Sequence, residues 1–176
     1  MTDEITSKKK IDLSAKKIVA GWPSVGYDGE NERVREFYAK ASGTVKSRNS
    51  MFAQKKLADI FIFAMALGKN AGIKKDYNKK SDRKDTINMD YIATQPEYLW
   101  MMIAIAIEEY AGNLEIFQEP RKIIDICEQY ANYGIELLME MEGRASTSDP
   151  YIGYEEKFDE LLENLKDWWT VPYVMI

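Results

Sequence analysis

The sequence predicts an all-α protein, a single compact, bundle-like domain of about five to six helices with a basic loop and an apolar C-terminal tail. The 176 residues suit one domain with an ordinary core, because 45% of them are apolar and 30% are charged. Only five prolines and ten glycines occur, which disfavours the frequent turns of a β-sandwich. Apolar residues recur at three- and four-residue spacing over several long segments, as they do on one face of a helix.

The chain is predicted to divide into a weakly ordered, basic N-terminal arm (residues 1–30) and a helical domain (residues 31–176). The arm contains three consecutive lysines, Lys8 to Lys10, and closes with a series of turn-forming residues from Gly21 to Gly29. A short helix is then predicted over residues 31–42, where the apolar side chains lie three or four positions apart.

Three longer helices are predicted to form the core of the domain. The first covers about residues 50–67, and its apolar positions extend around most of its circumference, which indicates a central helix. Gly68 fits its C-terminus, because glycine is favoured where a helix ends. The second helix covers residues 96–111 and starts with a proline, as many helices do. The third covers residues 120–142 and is predicted to stop at Gly143.

The connections differ in character from these helices. Residues 69–86 are predicted to be an exposed loop, because no continuous apolar face runs through them. They carry seven Lys/Arg against three Asp, a net charge of +4. After a polar linker, a last helix is predicted over residues 154–169. Residues 170–176 form an apolar tail that cannot continue this helix past Pro172.

The two halves of the chain carry opposite charge. Residues 1–90 contain 19 Lys/Arg against 12 Asp/Glu, a net of +7, whereas residues 91–176 contain 5 against 17, a net of −12. Such asymmetry indicates a polyanion partner, a basic partner or self-association.

Nucleic-acid contact is predicted for the basic arm and for the loop that follows the first core helix, because lysines on a loop can neutralise phosphates. The loop residues predicted to make this contact are Lys74, Lys75, Lys79, Lys80, Arg83 and Lys84. Tyr77 lies among them and is a candidate for stacking on a base. The alternative is a loop that is merely solvated or faces a protein.

The acidic residues of the second and third core helices are interpreted as solvent-exposed surface. They are Glu108, Glu109, Asp125, Glu128, Glu136, Glu140 and Glu142. Facing carboxylates can hold two metal ions in helical bundles, but such sites also use Glu-x-x-His motifs, and the chain has no histidine. The sequence therefore predicts no metal site, no cofactor and no catalytic residue. An enzyme that uses carboxylates and magnesium is kept as a further alternative.

The C-terminal segment is predicted to bind a partner protein, because Trp and Tyr are enriched at interfaces. The candidate residues are Trp168, Trp169, Tyr173 and Met175. An equal alternative is that this tail folds back and seals the core. Cys127, the single cysteine, lies on an apolar stripe and is predicted to be buried. With no intramolecular disulfide and no apolar run long enough to cross a bilayer, a cytoplasmic protein without membrane contact is expected.

Three segments together resemble a known group of proteins. They are residues 59–68 (DIFIFAMALG), 103–107 (IAIAI) and 128–138 (EQYANYGIELL). In this order they resemble small helical proteins associated with DNA phosphorothioation (Dnd-type) and related bacterial anti-phage restriction loci, over roughly residues 55–142. The resemblance implies a role in a defence or DNA-processing complex and supplies no catalytic residues. The element ending at Gly134 also fits tight helix packing, in which the glycine admits a close neighbour.

The sequence thus predicts a non-catalytic accessory subunit of a prokaryotic DNA-defence or DNA-processing complex. It is expected to contact DNA or RNA through the basic arm and loop. Its C-terminal half is expected to contact a protein subunit of the complex or a second copy of the chain. The alternative is a protein–protein interaction or self-assembly module with no nucleic-acid contact.

Overall fold

The computed structural model describes residues 15–41, 52, 55–77 and 82–145. Within these ranges the protein is mainly helical, as predicted, with six α-helices, two β-strands and one 3-10 helix. In chain order they are α1 (Ala15–Ile18), β1 (Val25–Asp28), α2 (Glu32–Ala41), α3 (Leu57–Ala71), β2 (Arg83–Ile87), α4 (Met89–Ile92), α5 (Pro96–Glu109), the 3-10 helix (Leu114–Gln118) and α6 (Pro120–Ala145). The helix predicted over 154–169 and the tail after it lie outside the described residues.

The core is organised around helices α3 and α6. Nine of the fifteen residues of α3 are buried, among them Ile60, Phe61 and Met65. This distribution confirms the prediction that α3 is a central helix, since it is covered by other elements on most sides. Helix α6 presents one continuous apolar stripe to the core, and Cys127 and Leu138 on this stripe are fully buried.

Two glycines allow α3 and α6 to cross with their backbones in contact. A Cβ atom at Gly134 would lie 1.7 Å from the carbonyl oxygen of Ala64, and one at Gly68 would lie 2.0 Å from the carbonyl oxygen of Tyr130. Only glycine fits at either position, because both distances are far below van der Waals contact. The pairs 68–130 and 64–134 also establish that the two helices run antiparallel. The prediction that Gly134 admits a close neighbour is therefore confirmed.

The ends of these helices differ from the predictions made for them. Helix α3 continues past Gly68 to Ala71, and it is Gly72, in the left-handed conformation with a φ of 68°, that ends it. The N–H groups of Gly72 and the next residue donate to carbonyls of the last turn, which is the Schellman arrangement. Helix α6 continues through Gly143, and an added Cβ there would meet no atom of the described ranges.

Helices α5 and α2 cover the central pair. Helix α5 has Pro96 in its first turn, as predicted, and buries Leu99 and Met102 in the core. Helix α2 agrees with the helix predicted over 31–42, and it contributes Phe37 and Tyr38, whose rings pack edge to face at a centroid distance of 6.3 Å. These contacts extend one hydrophobic core across all the long helices of the described part of the chain.

A two-stranded antiparallel sheet brings the N-terminal part of the chain against the segment that precedes α4. Tyr27 of β1 lies opposite Lys84 of β2, and Asp28 lies opposite Arg83. The inner end of β1 is buried, with Val25 inaccessible to solvent. Because β1 also contacts α6, the sheet fixes the beginning of β2 close to that helix.

The sheet changes two predictions. Residues 15–30, predicted as part of a weakly ordered arm, contain α1 and β1 and bury Ala15 and Val19 in the core. Residues 69–86, predicted as one exposed loop, contain the end of α3 and most of β2. The strand was missed because its sequence, RKDTI, buries only its last residue and because its partner strand is remote in the chain. Patterns of local hydrophobicity carry no signal for such a pairing.

Candidate functional site

The candidate site is the basic segment that follows α3, together with the acidic side chains that it meets. The name basic segment is used here for residues 69–86, of which residues 78–81 lie outside the described part of the structure. Four of its five described cations form ion pairs with carboxylates of α5, α6 or β2. The positive and negative halves of the chain therefore meet within one molecule.

The first group of contacts joins the end of α3 to the end of α5. Lys69 donates to Glu108 at 2.9 Å and to Glu109 at 3.2 Å. Lys74 donates to the second oxygen of Glu109 at 2.6 Å, and the hydroxyl of Tyr130 donates to the first. The pKa of the Glu109 carboxyl is about 2, well below its usual value of 4.5. The hydrogen bond from Lys74 lowers it most, followed by the hydrogen bonds from the Tyr130 hydroxyl and from Lys69.

The low pKa of Glu109 predicts a loss of stability in acid. Since the pKa is lower in the folded than in the unfolded chain, the charged carboxylate contributes stability above about pH 4.5, and this contribution is lost as the pH falls toward 2. We expect a carbon-13 NMR titration of Glu109 to give a midpoint near 2, and the variant Lys74→Met to shift this midpoint upward. A midpoint near 4.5 in the unmodified protein would contradict the arrangement.

The second group of contacts fastens the basic segment along α6. The N–H of Lys75 donates to the carbonyl of Gln129 at 2.9 Å, and the amide of Asn132 donates to the carbonyl of Lys75 at 3.1 Å. Gln129 also donates to Asp76 at 2.6 Å. The ammonium group of Lys75 forms an ion pair with Glu136, one turn further along α6. Backbone and side chain of this stretch are thus both attached to the helix.

The third group is a buried ion pair between Arg83 and Glu128. The side chain of Glu128 is 1% exposed and that of Arg83 11%. The guanidinium donates to Glu128 at 2.7–3.0 Å and to the carbonyl of Ser24 at 2.5 Å. The carboxylate also accepts from the N–H of Gly26 at 2.7 Å and from the hydroxyl of Tyr77 at 3.2 Å. All its oxygens are therefore satisfied, as a buried charge requires.

One prediction about this group was wrong. Glu128 is not part of a solvated surface, because it faces the sheet and is enclosed by Arg83 and the β1 backbone. Tyr77, the candidate for stacking on a base, is half-buried beside Glu128, to which its hydroxyl donates a hydrogen bond. Burial and the neighbouring Glu128 carboxylate raise the pKa of this hydroxyl above its usual value of 10.

Most of the other predicted site residues lie outside the described part of the chain. Lys84 is exposed on β2 and makes no ion pair with any described residue. Lys79 and Lys80 lie outside the described residues, as do Lys8 to Lys10 of the arm. The predicted partner-binding residues Trp168, Trp169, Tyr173 and Met175 also lie outside the described part of the chain.

The partners of the lysines were missed because charge counts alone do not say which acidic residues face which basic ones. The division of charge between the halves was the relevant signal, but it was assigned to contacts between molecules. Here Glu109, Glu128 and Glu136 pair with cations of the same chain. Their spacing on α5 and α6 becomes informative only once the basic segment is known to lie along these helices.

The described residues offer neither a metal site nor a helix that spans a membrane. Among the described residues, no group of three or more Asp, Glu or Cys side chains is arranged to hold a metal ion. None of the described helices combines the length and the apolar character needed to cross a bilayer. Cys127 is buried as predicted, its thiol faces the carbonyl of Met102 at 3.7 Å, and burial raises its pKa.

One comparison with known proteins yields a match. The sequence model of a family described as DNA sulphur modification system-associated protein 4 matches residues 39–157, about two-thirds of the chain. No curated protein and no solved structure matches. The match confirms the resemblance to proteins of Dnd-type loci, and it extends beyond residues 55–142 on both sides.

Proposed function

Since the chain belongs to the family of DNA sulphur modification system-associated protein 4, we propose that it is a non-catalytic accessory subunit of a prokaryotic DNA-defence or DNA-processing complex. In this proposal it contacts DNA or RNA through the arm and the basic segment, and a partner protein through its C-terminal half. The partner is another protein of the complex or a second copy of the chain. The site of action is the cytoplasm, where such nucleic acid is found.

The observation that carries nucleic-acid contact is the attachment of the basic segment to α6. Lys75 is bonded to α6 through its backbone, and the neighbouring Lys74 is paired with Glu109 at the end of α5, yet their side chains stay 46% and 43% exposed. Lys84 is exposed on β2, and the largely buried Arg83 next to it anchors that strand. Cations fixed on a rigid support lose less entropy when they bind phosphates than cations on a free loop do.

A non-catalytic role is supported by the state of the reactive side chains in the described part of the chain. Cys127 is buried and its pKa is raised, which disfavours a thiolate nucleophile. The acidic residues nearest the basic segment, Glu109, Glu128 and Glu136, are engaged by cations. Cys127 and Glu128 are enclosed in the protein, and the Glu109 and Glu136 carboxylates each accept a hydrogen bond from a lysine.

The proposal predicts that charge reversal in the basic segment weakens nucleic-acid binding. We expect the quadruple variant with Glu at Lys74, Lys75, Lys79 and Lys80 to bind a fluorescein-labelled 20-base-pair DNA at least tenfold more weakly. The slope of log K against log salt should flatten by up to about 0.9 for each lysine that no longer contacts a phosphate. Fluorescence anisotropy between 50 and 200 mM KCl, about the range over which this effect is large, measures both quantities.

Two controls distinguish the loss of phosphate contacts from unfolding of the protein and from a change in its net charge. A variant with Gln at the same four lysines avoids placing Glu beside Glu109 and Glu136, and it should weaken binding in the same direction. A variant with Glu at Lys40 and Lys55, two exposed lysines outside both the arm and the basic segment, changes the net charge without changing the proposed site. Binding and salt slope equal to those of the unmodified protein in the quadruple variants would overturn nucleic-acid contact through this segment.

A second candidate function, a protein-interaction module without nucleic-acid contact, is favoured by a different observation. Large apolar side chains are exposed where α5 connects to α6, namely Tyr110, Phe117 and, at 63% exposure, Leu114. Light scattering at low and high salt distinguishes the possibilities. Association driven by charge weakens as salt rises, whereas association through these apolar side chains does not. Loss of a dimer in the variant Leu114→Ser would favour this second function if the unmodified protein also fails to bind the labelled DNA.

A further inference from the structure

We propose that Glu109 and Glu136 compete with phosphate groups for Lys74 and Lys75, so that an internal acidic mask sets the strength and salt dependence of nucleic-acid binding. This inference rests on the proposed function and adds a means of regulation to the same lysines. The mask consists of two carboxylates, one at the end of α5 and one in the middle of α6.

The contacts place a carboxylate where a phosphate would have to bind. The ammonium nitrogen of Lys74 lies 2.6 Å from Glu109, and that of Lys75 is in an ion pair with Glu136. Carboxylates and phosphates both accept hydrogen bonds from an ammonium group, and one carboxylate neutralises its charge. While the pairs persist, an approaching polyanion therefore meets neutral groups instead of free cations.

The same pairs are open enough to exchange. Both lysine side chains remain nearly half exposed, so a phosphate can approach them from the solvent side. The backbone around Lys75 is bonded to Gln129 and Asn132 of α6, independently of the ammonium groups. Rotation of the side chain alone therefore transfers a lysine from a carboxylate to a phosphate, without unfolding of the segment.

A purely structural role for these pairs makes a different prediction. If they only fastened the basic segment, their removal would change stability and leave the number of lysines that contact phosphates unchanged. If they mask the lysines, removal of one carboxylate releases one cation and adds one phosphate contact. The salt slope of binding counts such contacts directly, so it separates the two roles.

The test uses the full chain and the same labelled 20-base-pair DNA, with Glu136→Gln as the main variant. We expect this variant to bind about two- to fivefold more tightly than the unmodified protein, the range set by an exposed ion pair. Its salt slope should be steeper by about 0.9, the effect of one added phosphate contact. In a Lys75→Gln background the same substitution should leave the salt slope unchanged.

The matched control is Glu97→Gln, which removes one negative charge at the opposite end of α5. Glu97 makes no ion pair within the described residues and lies about 18 Å along the helix axis from Glu109. This separation exceeds the Debye length of about 10 Å at 0.1 M salt, so its effect on binding should be small and the slope unchanged. Circular dichroism melting of each variant verifies that it is folded.

The outcomes distinguish failure of the mask from failure of the proposed function. If the unmodified protein binds DNA and Glu136→Gln matches Glu97→Gln in affinity and slope, the mask is overturned and the function stands. If only Glu136→Gln or the double variant with Glu109→Gln binds, the mask is supported and is nearly complete. If none of these proteins binds, both the mask and nucleic-acid contact through this segment are overturned.

Discussion

Replacing Glu128 by alanine is expected to lower the free energy of unfolding by about 3–5 kcal/mol, because it removes the buried carboxylate that pairs with Arg83. Arg83 would keep only the exposed carboxylate of Asp85 as a counter-charge, and the N–H of Gly26 and the hydroxyl of Tyr77 would lose their acceptor. Since these groups belong to β1, β2 and the segment before β2, we expect the sheet to detach from α6. Urea denaturation followed by circular dichroism measures the change.

The matched control for this prediction is Glu136→Ala, on the same helix. Glu136 also forms an ion pair with a cation of the basic segment, Lys75. Both side chains of this pair are more than one-third exposed. Solvent screening reduces the contribution of such a pair to about 0–1 kcal/mol. If Glu128→Ala destabilised the protein no more than Glu136→Ala does, the buried network would not have the structural role assigned to it.

The second large effect is expected at the crossing of α3 and α6. The variant Gly134→Ala should lower the free energy of unfolding by about 3 kcal/mol, the upper end of the range for overpacking. Its methyl group would lie 1.7 Å from the carbonyl oxygen of Ala64. The helices must separate by more than an ångström to accept it, because both atoms belong to rigid segments and no side chain can rotate away. Thermal or urea unfolding of the variant measures the loss.

Gly143→Ala serves as the control, because it makes the same substitution in the same helix. No atom of the residues that the structure describes lies within 4 Å of the Cβ that this change would add. Replacement of an unconstrained helical glycine by alanine should therefore stabilise the protein by about 0.5–1 kcal/mol. Opposite signs for the two substitutions are the expected result. Stabilisation of similar size at both positions would indicate that helix propensity, and not the crossing, determines the effect at Gly134.

The helices were predictable because each one is specified by its own local pattern. The apolar positions of α3, α5 and α6 recur with the helical period, and a proline occupies the first position of α5. The burial of Cys127 followed from the same periodicity. By contrast, Gly68 and Gly143 were both interpreted as helix ends. One of them lies at a backbone crossing and the other in a continuing helix, and a single sequence does not distinguish these settings.

The site was less predictable because its contacts join parts of the chain that are far apart. The lysines of the basic segment were identified as candidates, but their pairing with Glu109 and Glu136 was not. Glu128 was assigned to the surface on the general exposure of its residue type, whereas β1 and β2 enclose it. Because neither strand was predicted, the buried contacts of Glu128 with the strands could not be predicted either.

The sequence by itself determined the helical class, the central position of α3, the apolar stripe of α6 and the resemblance to proteins of DNA sulphur modification systems. These properties depend on local periodicity and on short motifs, both of which can be recognised in the sequence alone. Only the tertiary structure revealed the sheet, the roles of Gly68 and Gly143, and the partners of the charged side chains. The physical reason is that hydrogen bonds and ion pairs depend on the distance between atoms in the folded protein. The sequence shows that one half of the chain is basic and the other acidic, but it does not specify which residues of the two halves come into contact.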